Sequence, residues 1–286
     1  MTLMELVERS SARLEEAGVS LGHGTANAFD EAVWLVLWRL GLPLDDLDGV
    51  ADKALSAEQI AAVNALVDQR IATRKPTAYL TGEAWLQGIA FAVDERVIVP
   101  RSLIAEPLMD GTLDAWLGEP PQRVLDLCTG SGCLAVLAAL RWPEASIDAT
   151  DLSADALAVA RRNLERHALL ERITLLQGDG LAATDRHYDL ILCNPPYVNR
   201  RSMAALPPEY RAEPALALDG GGDGMDFIRP LLASVARHMN ANAALVLEIG
   251  HEAGHFAAAF PRLQPAGLPT SAGDDQVLLL MKEDLR

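Results

Sequence analysis

Positive charge is scarce in this 286-residue chain: 24 Lys and Arg stand against 40 Asp and Glu, a formal net charge of −16. Phosphate backbones are held through clustered Lys and Arg, so direct nucleic-acid specificity is not expected. The deficit is general, with 8 basic against 15 acidic side chains in residues 1–100 and 16 against 25 in the remainder. A surface of that sign attracts basic proteins. Long apolar runs are missing too: no stretch approaches the roughly 18 residues of a membrane-spanning helix. Met1–Ser20 carries Glu5, Glu8, Glu15 and Glu16, where a signal peptide would be basic and then apolar. A soluble cytoplasmic protein with no membrane partner is therefore expected. Cysteine is rare, and Cys128, Cys133 and Cys193 form no C-x-x-C pair. That argues against a disulfide framework and a zinc knuckle, and predicts small buried core thiols.

What the chain does have is length and apolar content, 50% hydrophobic, enough for one large and one smaller domain. Apolar residues recur at helical spacing in Leu3–Ala17, Phe29–Leu40 and Ser56–Ala72, with Asn27 as a cap before Asp30 and Glu31 and with Gly41 and Pro43 as a stop. A helical domain over residues 1–76 is expected. The pattern then shortens: "AWLQGIAFAVDERVIVP" predicts a β-hairpin or two short strands, turning near Gly88, with Pro100 closing the second. From Gln122 short apolar strands alternate with helices: "RVLDL", "CLAVLAALR", "SIDAT", "ADALAVARRNLERHA", "RITLLQ", "YDLILC", "MDFIRPLLASVARHM", "ALVLEIG" and "QVLLLMK". That alternation predicts an α/β domain with a doubly wound parallel sheet, and ligands on such sheets bind beyond the carboxyl ends of the strands.

The first strand end reads "VLDLCTGSGCLA", with Asp126 inside the strand and then Gly130, Ser131 and Gly132 ahead of a helix. Glycines permit a tight turn and close ligand approach, and the helix's first amides are donors. The spacing fits G-x-G-x-x-A through Gly130, Gly132 and Ala135, and Asp151 lies 19 residues after Gly132, at the next strand end, where a carboxylate can take ribose hydroxyls. A dinucleotide and S-adenosylmethionine both satisfy this cradle. A carboxylate just before the glycines repels a pyrophosphate and suits a sulfonium and ammonium, so Asp126 favours S-adenosylmethionine. Asp179, in "LLQGDG", is placed to reach an adenine edge or to serve as an ordinary turn residue.

The fourth strand end reads "ILCNPPYVN". Two prolines fix φ and drive the residue before them to an extended conformation, which sets Asn194 and Tyr197 rigidly around Pro195 and Pro196. A planar nitrogen group could donate to the Asn194 side-chain oxygen and the Pro195 carbonyl while Tyr197 packs on its face. "HEAGH" at 251–255 matches the H-E-x-x-H zinc pattern. Gly254 weakens its helix, and no His or Glu lies between His255 and Lys282 to complete the site, so no metal is expected.

"DLCTGSG" with "NPPY" resembles the class I methyltransferases that modify planar amide or exocyclic amino nitrogens. The helical domain, hairpin and catalytic domain together resemble the protein-glutamine N(5)-methyltransferases. One branch of that family modifies the Gly-Gly-Gln glutamine of peptide-chain release factors, with a linker like P-R-P-(D/E)-T-E. Here "VPRSLIAEP" (Val99–Pro107) has Ser102 in place of the proline. "GHGTANAFDEAVWLVL", "DERVIVPRSLIAE" and "LPPEYRAEPALAL" (Leu206–Leu218) are similar to the branch acting on large-subunit (50S) ribosomal protein L-three, a basic partner that agrees with the acidic surface.

The resemblance implies a Rossmann-like methyltransferase domain over 106–286, a hairpin linker over 77–105 and substrate recognition by 1–76. It implies that Thr129, Gly130, Ser131, Gly132, Cys133 and Asp151 bind S-adenosyl-L-methionine, to which the reading of the strand ends adds Asp126, Asp179 and Asn194, and that Asn194, Pro195, Pro196 and Tyr197 hold the glutamine. For Arg101 and Glu106, in the linker, a structural ion pair is expected ahead of a positioning or substrate role. A DNA adenine methyltransferase shares N-P-P-Y but needs a basic face, and a dinucleotide oxidoreductase leaves Asn194–Tyr197 idle.

Overall fold

The computed structural model describes residues 1–285. The chain divides into two compact units, Met1–Ala84 with Leu206–Ala212, and Trp85–Ala205 with Glu213–Arg286.

The first unit is helical, and its helices start where side chains can satisfy their free amides. Helix Leu3–Glu16 opens on a capping box between Thr2 and Glu5, and helix Ala57–Thr73 on one between Ser56 and Gln59. Helix Ala28–Leu40 starts at Asn27, whose side chain accepts from the Asp30 amide, and stops at Gly41 in the left-handed conformation (φ 64°). Leu3, Leu6, Leu14, Leu35, Val63 and Val67 make its core. Beside them Arg70 is buried. Its Nε meets Glu31 Oε1 at 2.6 Å, its Nη1 meets Glu209 Oε1 at 3.2 Å, and its Nη2 donates to the Ser20 carbonyl at 3.0 Å. The sequence pattern draws the domain boundary at residue 76. The folded chain divides at Ala84 and returns Leu206–Ala212 to the helical unit, because Glu209 neutralises Arg70, a long-range pairing that no local periodicity announces.

The second unit opens on a two-stranded hairpin, β1 (Glu83–Leu86), at which the division falls, and β2 (Ile89–Ala92). Gln87 (φ 51°) and Gly88 (φ 74°) make the tight turn that matches strand twist. The second strand ends at Ala92, not at Pro100: the Val99 amide donates to Glu213 Oε1 at 2.9 Å instead of to a neighbouring strand.

A seven-stranded sheet follows, of β3 (Arg123–Leu127), β4 (Ser146–Asp151), β5 (Ile173–Gln177), β6 (Tyr188–Cys193), β7 (Met239–Glu248), β8 (Ala266–Gly267) and β9 (Val277–Met281), in the order β5-β4-β3-β6-β7-β9-β8. β3 to β7 pair in parallel; β9 runs antiparallel to β7 and to β8. The expected parallel sheet is found in β3 to β7, and the antiparallel β9 makes the whole sheet mixed, since an apolar run gives a strand without its direction. "MDFIRPLLASVARHM" is helical only over Ile228–Ser234, with a 3-10 turn over Val235–His238. Leu125, Leu127, Ile191, Cys193, Leu245, Leu247 and Leu280 form the sheet's core. Strand order reverses between β3 and β6, with Leu127 beside Cys193, so the loops leaving both strands open at one switch point. No helix among the described residues is long and apolar enough to cross a membrane.

Candidate active site

The loop after β3 turns through three left-handed residues, Cys128 (φ 58°), Gly130 (φ 54°) and Gly132 (φ 80°). At Gly132 the conformation and the space both call for glycine, because a Cβ there would stand 3.2 Å from Ala160 Cβ. Asp126 braces this loop from inside: its Oδ2 accepts the Thr129 hydroxyl at 2.5 Å and the Ala135 amide at 3.0 Å. Its Oδ1 is buried with no protein partner among the described residues. Burial pushes this carboxyl up to about 7, against the pull of the Thr129 and Ala135 hydrogen bonds.

Asp151 ends β4 and accepts the Gly130 amide on Oδ2 and the Ser153 amide on Oδ1, each at 2.9 Å. Burial raises this carboxyl too, with those two amides opposing the rise. Asn163 supports the cradle from behind, its Nδ2 donating to the Ser131 carbonyl at 2.8 Å while its Oδ1 accepts the Ala92 amide at 2.6 Å.

A cleft with about 770 Å³ of space, part of it open to solvent, lies over these strand ends. Of the residues singled out in the sequence, Gly130, Asp151, Asp179, Asn194 and Pro196 line it. Asp126, Thr129, Ser131, Gly132, Cys133, Pro195 and Tyr197 do not. Thr129, Ser131, Gly132 and Cys133 are buried, so they shape the loop from within. Asp179 lies past the end of β5, exposed on the cleft wall. The periodicity gave no sign of the apolar walls: Val97, Ile98, Leu152, Leu216 and Phe227. Leu152 (52% exposed) and Leu216 (57%) are large apolar residues left open to water, and the place of Leu152 directly after the acid ending β4 is the one signal that could have found it.

The Asn194 side chain makes no hydrogen bond among the described residues, and no backbone amide donates to the Pro195 carbonyl. Tyr197 donates its hydroxyl to Glu248 Oε1 at 3.1 Å. Glu248, the last residue of β7, also takes the Ser102 hydroxyl at 2.6 Å and the Leu103 amide at 3.0 Å on Oε2. Burial raises this carboxyl, opposed by the Ser102 and Tyr197 hydrogen bonds. The strand-end rule that found Asp151 would have found Glu248 in "LVLEIG". Arg101 forms a two-pronged ion pair with Glu213, at 2.6 and 2.7 Å. Glu106 instead accepts from the Ser271 amide and hydroxyl, each at 2.6 Å.

In "HEAGH" the helix begins only at Ala253, so His251 lies outside it and the two histidines share no helical face. Glu252 is buried and accepts Asn199 Nδ2 at 2.6 Å, while His255 Nδ1 pairs with its other oxygen. Cys193 and Cys133 are buried, and burial pushes the Cys133 thiol up to about 12, but Cys128, expected in the core, is half-buried and lines the cleft.

Residues 111–222 match the family model "Methyltransferase small domain", and residues 5–82 match "PrmC N-terminal domain". The ribosomal protein uL3 glutamine methyltransferase of Bordetella pertussis is 55% identical, over 99% of this chain and 96% of its own length. The protein of the same name from Burkholderia pseudomallei is 50% identical, over 99% and 95%. Among solved structures, the hMettl16 catalytic domain in complex with the MAT2A 3'UTR hairpin 6 has the same fold, with a TM-score of 0.52 at 12% identity over 79% of this chain and 81% of that one.

Proposed function

The chain belongs to the ribosomal protein uL3 glutamine methyltransferases, and from that premise we propose how its residues carry out the reaction. The enzyme transfers a methyl group from S-adenosyl-L-methionine to the side-chain amide nitrogen of a glutamine in ribosomal protein uL3. We place the reaction in the cytoplasm, where ribosomal proteins are made. The acidic surface suits a basic substrate.

The residues present fit the methyl donor. Bound S-adenosyl-L-methionine supplies an electrophilic methyl on a cationic sulfonium. The unpartnered Asp126 Oδ1 is the atom we assign to its ammonium end, and Asp151, already fixed by two amides, to its ribose hydroxyls. Asp179, whose side chain has no partner among the described residues, would meet the base, and Leu152, Leu216 and Phe227 would exclude water around it. Thr129, Ser131, Gly132 and Cys133 hold the loop that brings Gly130 to the cleft.

An amide nitrogen is a weak nucleophile because its lone pair is delocalised, and ordinary side-chain bases cannot deprotonate it. Positioning must therefore supply much of the rate. Asn194 Oδ1 and the Pro195 carbonyl accept the two N–H hydrogens, which draws electron density onto nitrogen and turns its face towards the cleft. Tyr197 flanks the amide plane, and the two prolines keep both acceptors from relaxing. The nitrogen sheds one proton to solvent after it is methylated.

The observation that carries this reading is the unclaimed Asn194 amide on the wall shared with Gly130 and Asp151. Asn194→Ala should lower kcat roughly 100-fold or more while donor binding, followed by calorimetry, persists. Near-normal turnover would refute the assignment. Labelled donor given to uL3 beside release factors should label uL3.

A further inference from the structure

The turn after β7, Glu248–Glu252, brings two buried carboxylates and a glycine against the single segment Tyr197–Asn199. Glu248 (3% exposed) takes the Tyr197 hydroxyl, and Glu252 (6%) takes both the Asn199 side-chain amide at 2.6 Å and its backbone amide at 3.4 Å. Between them Gly250, left-handed at φ 51°, lies under the Tyr197 ring, where a Cβ would stand 2.5 Å from Cε2. A Cβ on Gly224 would come 2.2 Å from the Tyr197 carbonyl oxygen and 3.3 Å from Glu252 Cγ. Register explains the encounter: Cys193 of β6 pairs with Leu247 of β7, so the residues just beyond, Asn194 and Glu248, leave the sheet side by side.

Neither glutamate is bonded to a Lys or Arg among the described residues; Glu252 meets His255 Nδ1, and Glu248 meets no cationic side chain. Burying a carboxylate with no Lys or Arg beside it costs more than burying a well-packed apolar side chain of the same size, so packing alone does not account for two of them four residues apart. The two prolines fix φ at 195 and 196, and beyond them Val198 is held through its backbone, its amide donating to the Leu218 carbonyl and its carbonyl accepting the Gly220 amide, each at 2.9 Å. Two side-chain anchors, at 197 and 199, flank that bridge and tie Tyr197 and Asn199 to the turn after β7. We propose that Glu248 and Glu252 are positioning residues of the methyl transfer: they fix Tyr197 and Asn199 and thereby hold the Asn194–Pro195 acceptor pair in the orientation the amide needs. The inference rests on the reading of Asn194–Tyr197 as the glutamine grip. It gives "HEAGH" a role in that grip.

The test compares kcat, KM for uL3, donor dissociation constant and thermal midpoint across purified variants. Displacement of the grip by about an ångström predicts that Glu248→Ala and Tyr197→Phe each lower kcat roughly 10- to 100-fold, with the donor dissociation constant unchanged. The double variant should be no worse than the worse single one, because both remove one contact. Glu248→Gln, which keeps hydrogen-bonding atoms towards Tyr197 and Ser102, should recover most of kcat. Glu252→Ala and Asn199→Ala should behave as a second such pair.

Additive losses within either pair, or a lowered thermal midpoint with wild-type kcat per folded molecule, would overturn the proposal. The two readings separate on Asn194→Ala. If that variant loses turnover and Glu248→Ala does not, this inference alone fails; if Asn194→Ala keeps turnover, the grip itself fails.

Discussion

Replacing Asp126 by Asn should make the free protein more stable and a poorer binder of its methyl donor, and the two effects should diverge with pH. The Asp126 carboxyl is buried, with one oxygen satisfied by Thr129 and Ala135 and the other bare. Burial lifts it from 3.8 to about 7, so between those values the native state keeps a proton that the unfolded chain has released. Stability contributed by the protonated form is full below the unfolded value and is lost as pH rises through about 7, at up to about 1.4 kcal/mol per pH unit. Over the whole window the loss is on the order of 4 kcal/mol, or about 10 °C in thermal midpoint for a chain of this size. Asn keeps an acceptor for Thr129 and Ala135 and has no such titration. Thermal unfolding of both proteins from pH 4.5 to pH 8 should show the curves separating in favour of Asp126→Asn as pH rises. Donor affinity should move the other way, falling roughly tenfold or more at pH 8 with loss of a charged acceptor. Parallel pH curves would refute the claim that an unpartnered buried carboxylate titrates here.

Gly132→Ala combines a left-handed φ with a Cβ 3.2 Å from Ala160 and should cost about 1–2 kcal/mol and weaken donor binding, both readable by calorimetry. Asp151→Ala removes the acceptor of the Gly130 and Ser153 amides as well as the proposed ribose partner, and should raise the donor dissociation constant by at least tenfold, or roughly 1.5–3 kcal/mol, with a smaller change in KM for uL3. Arg70→Ala leaves buried Glu31 without its cation, while Glu209 keeps Arg74, and should destabilise the protein by about 3–5 kcal/mol, seen as a large fall in thermal midpoint.

Much of the fold could be read from periodicity and caps. Asn27 and Gly41 bound a helix because each satisfies backbone groups that a helix leaves open at its ends, and Gln87–Gly88 forces a hairpin turn. The run "VIVP" misleads because its alternation is that of a strand, although its Val99 amide is taken by Glu213, 114 residues away in sequence. The direction of β9 escapes the sequence for a related reason, since side-chain alternation is the same whichever way a strand runs.

In the candidate site, the residues whose backbone chemistry is unusual could be seen in advance: Gly130, Gly132 and the two prolines after Asn194. Asp151 could also be placed by its position at a strand end. Phe227 could not be placed by local pattern, because it matters through partners distant in the chain, whereas Glu248 ends β7 as Asp151 ends β4 and the same rule reaches it. Asp126, by contrast, was legible as an acid at the cradle, while its inward orientation is a property of packing.

The helical unit closes on Leu206–Ala212, and the chain changes units after Ala84, after Ala205 and after Ala212. A chimaera that exchanges residues 1–84 alone therefore separates Arg70 from Glu209, and should be less stable than one that also carries the seven residues Leu206–Ala212.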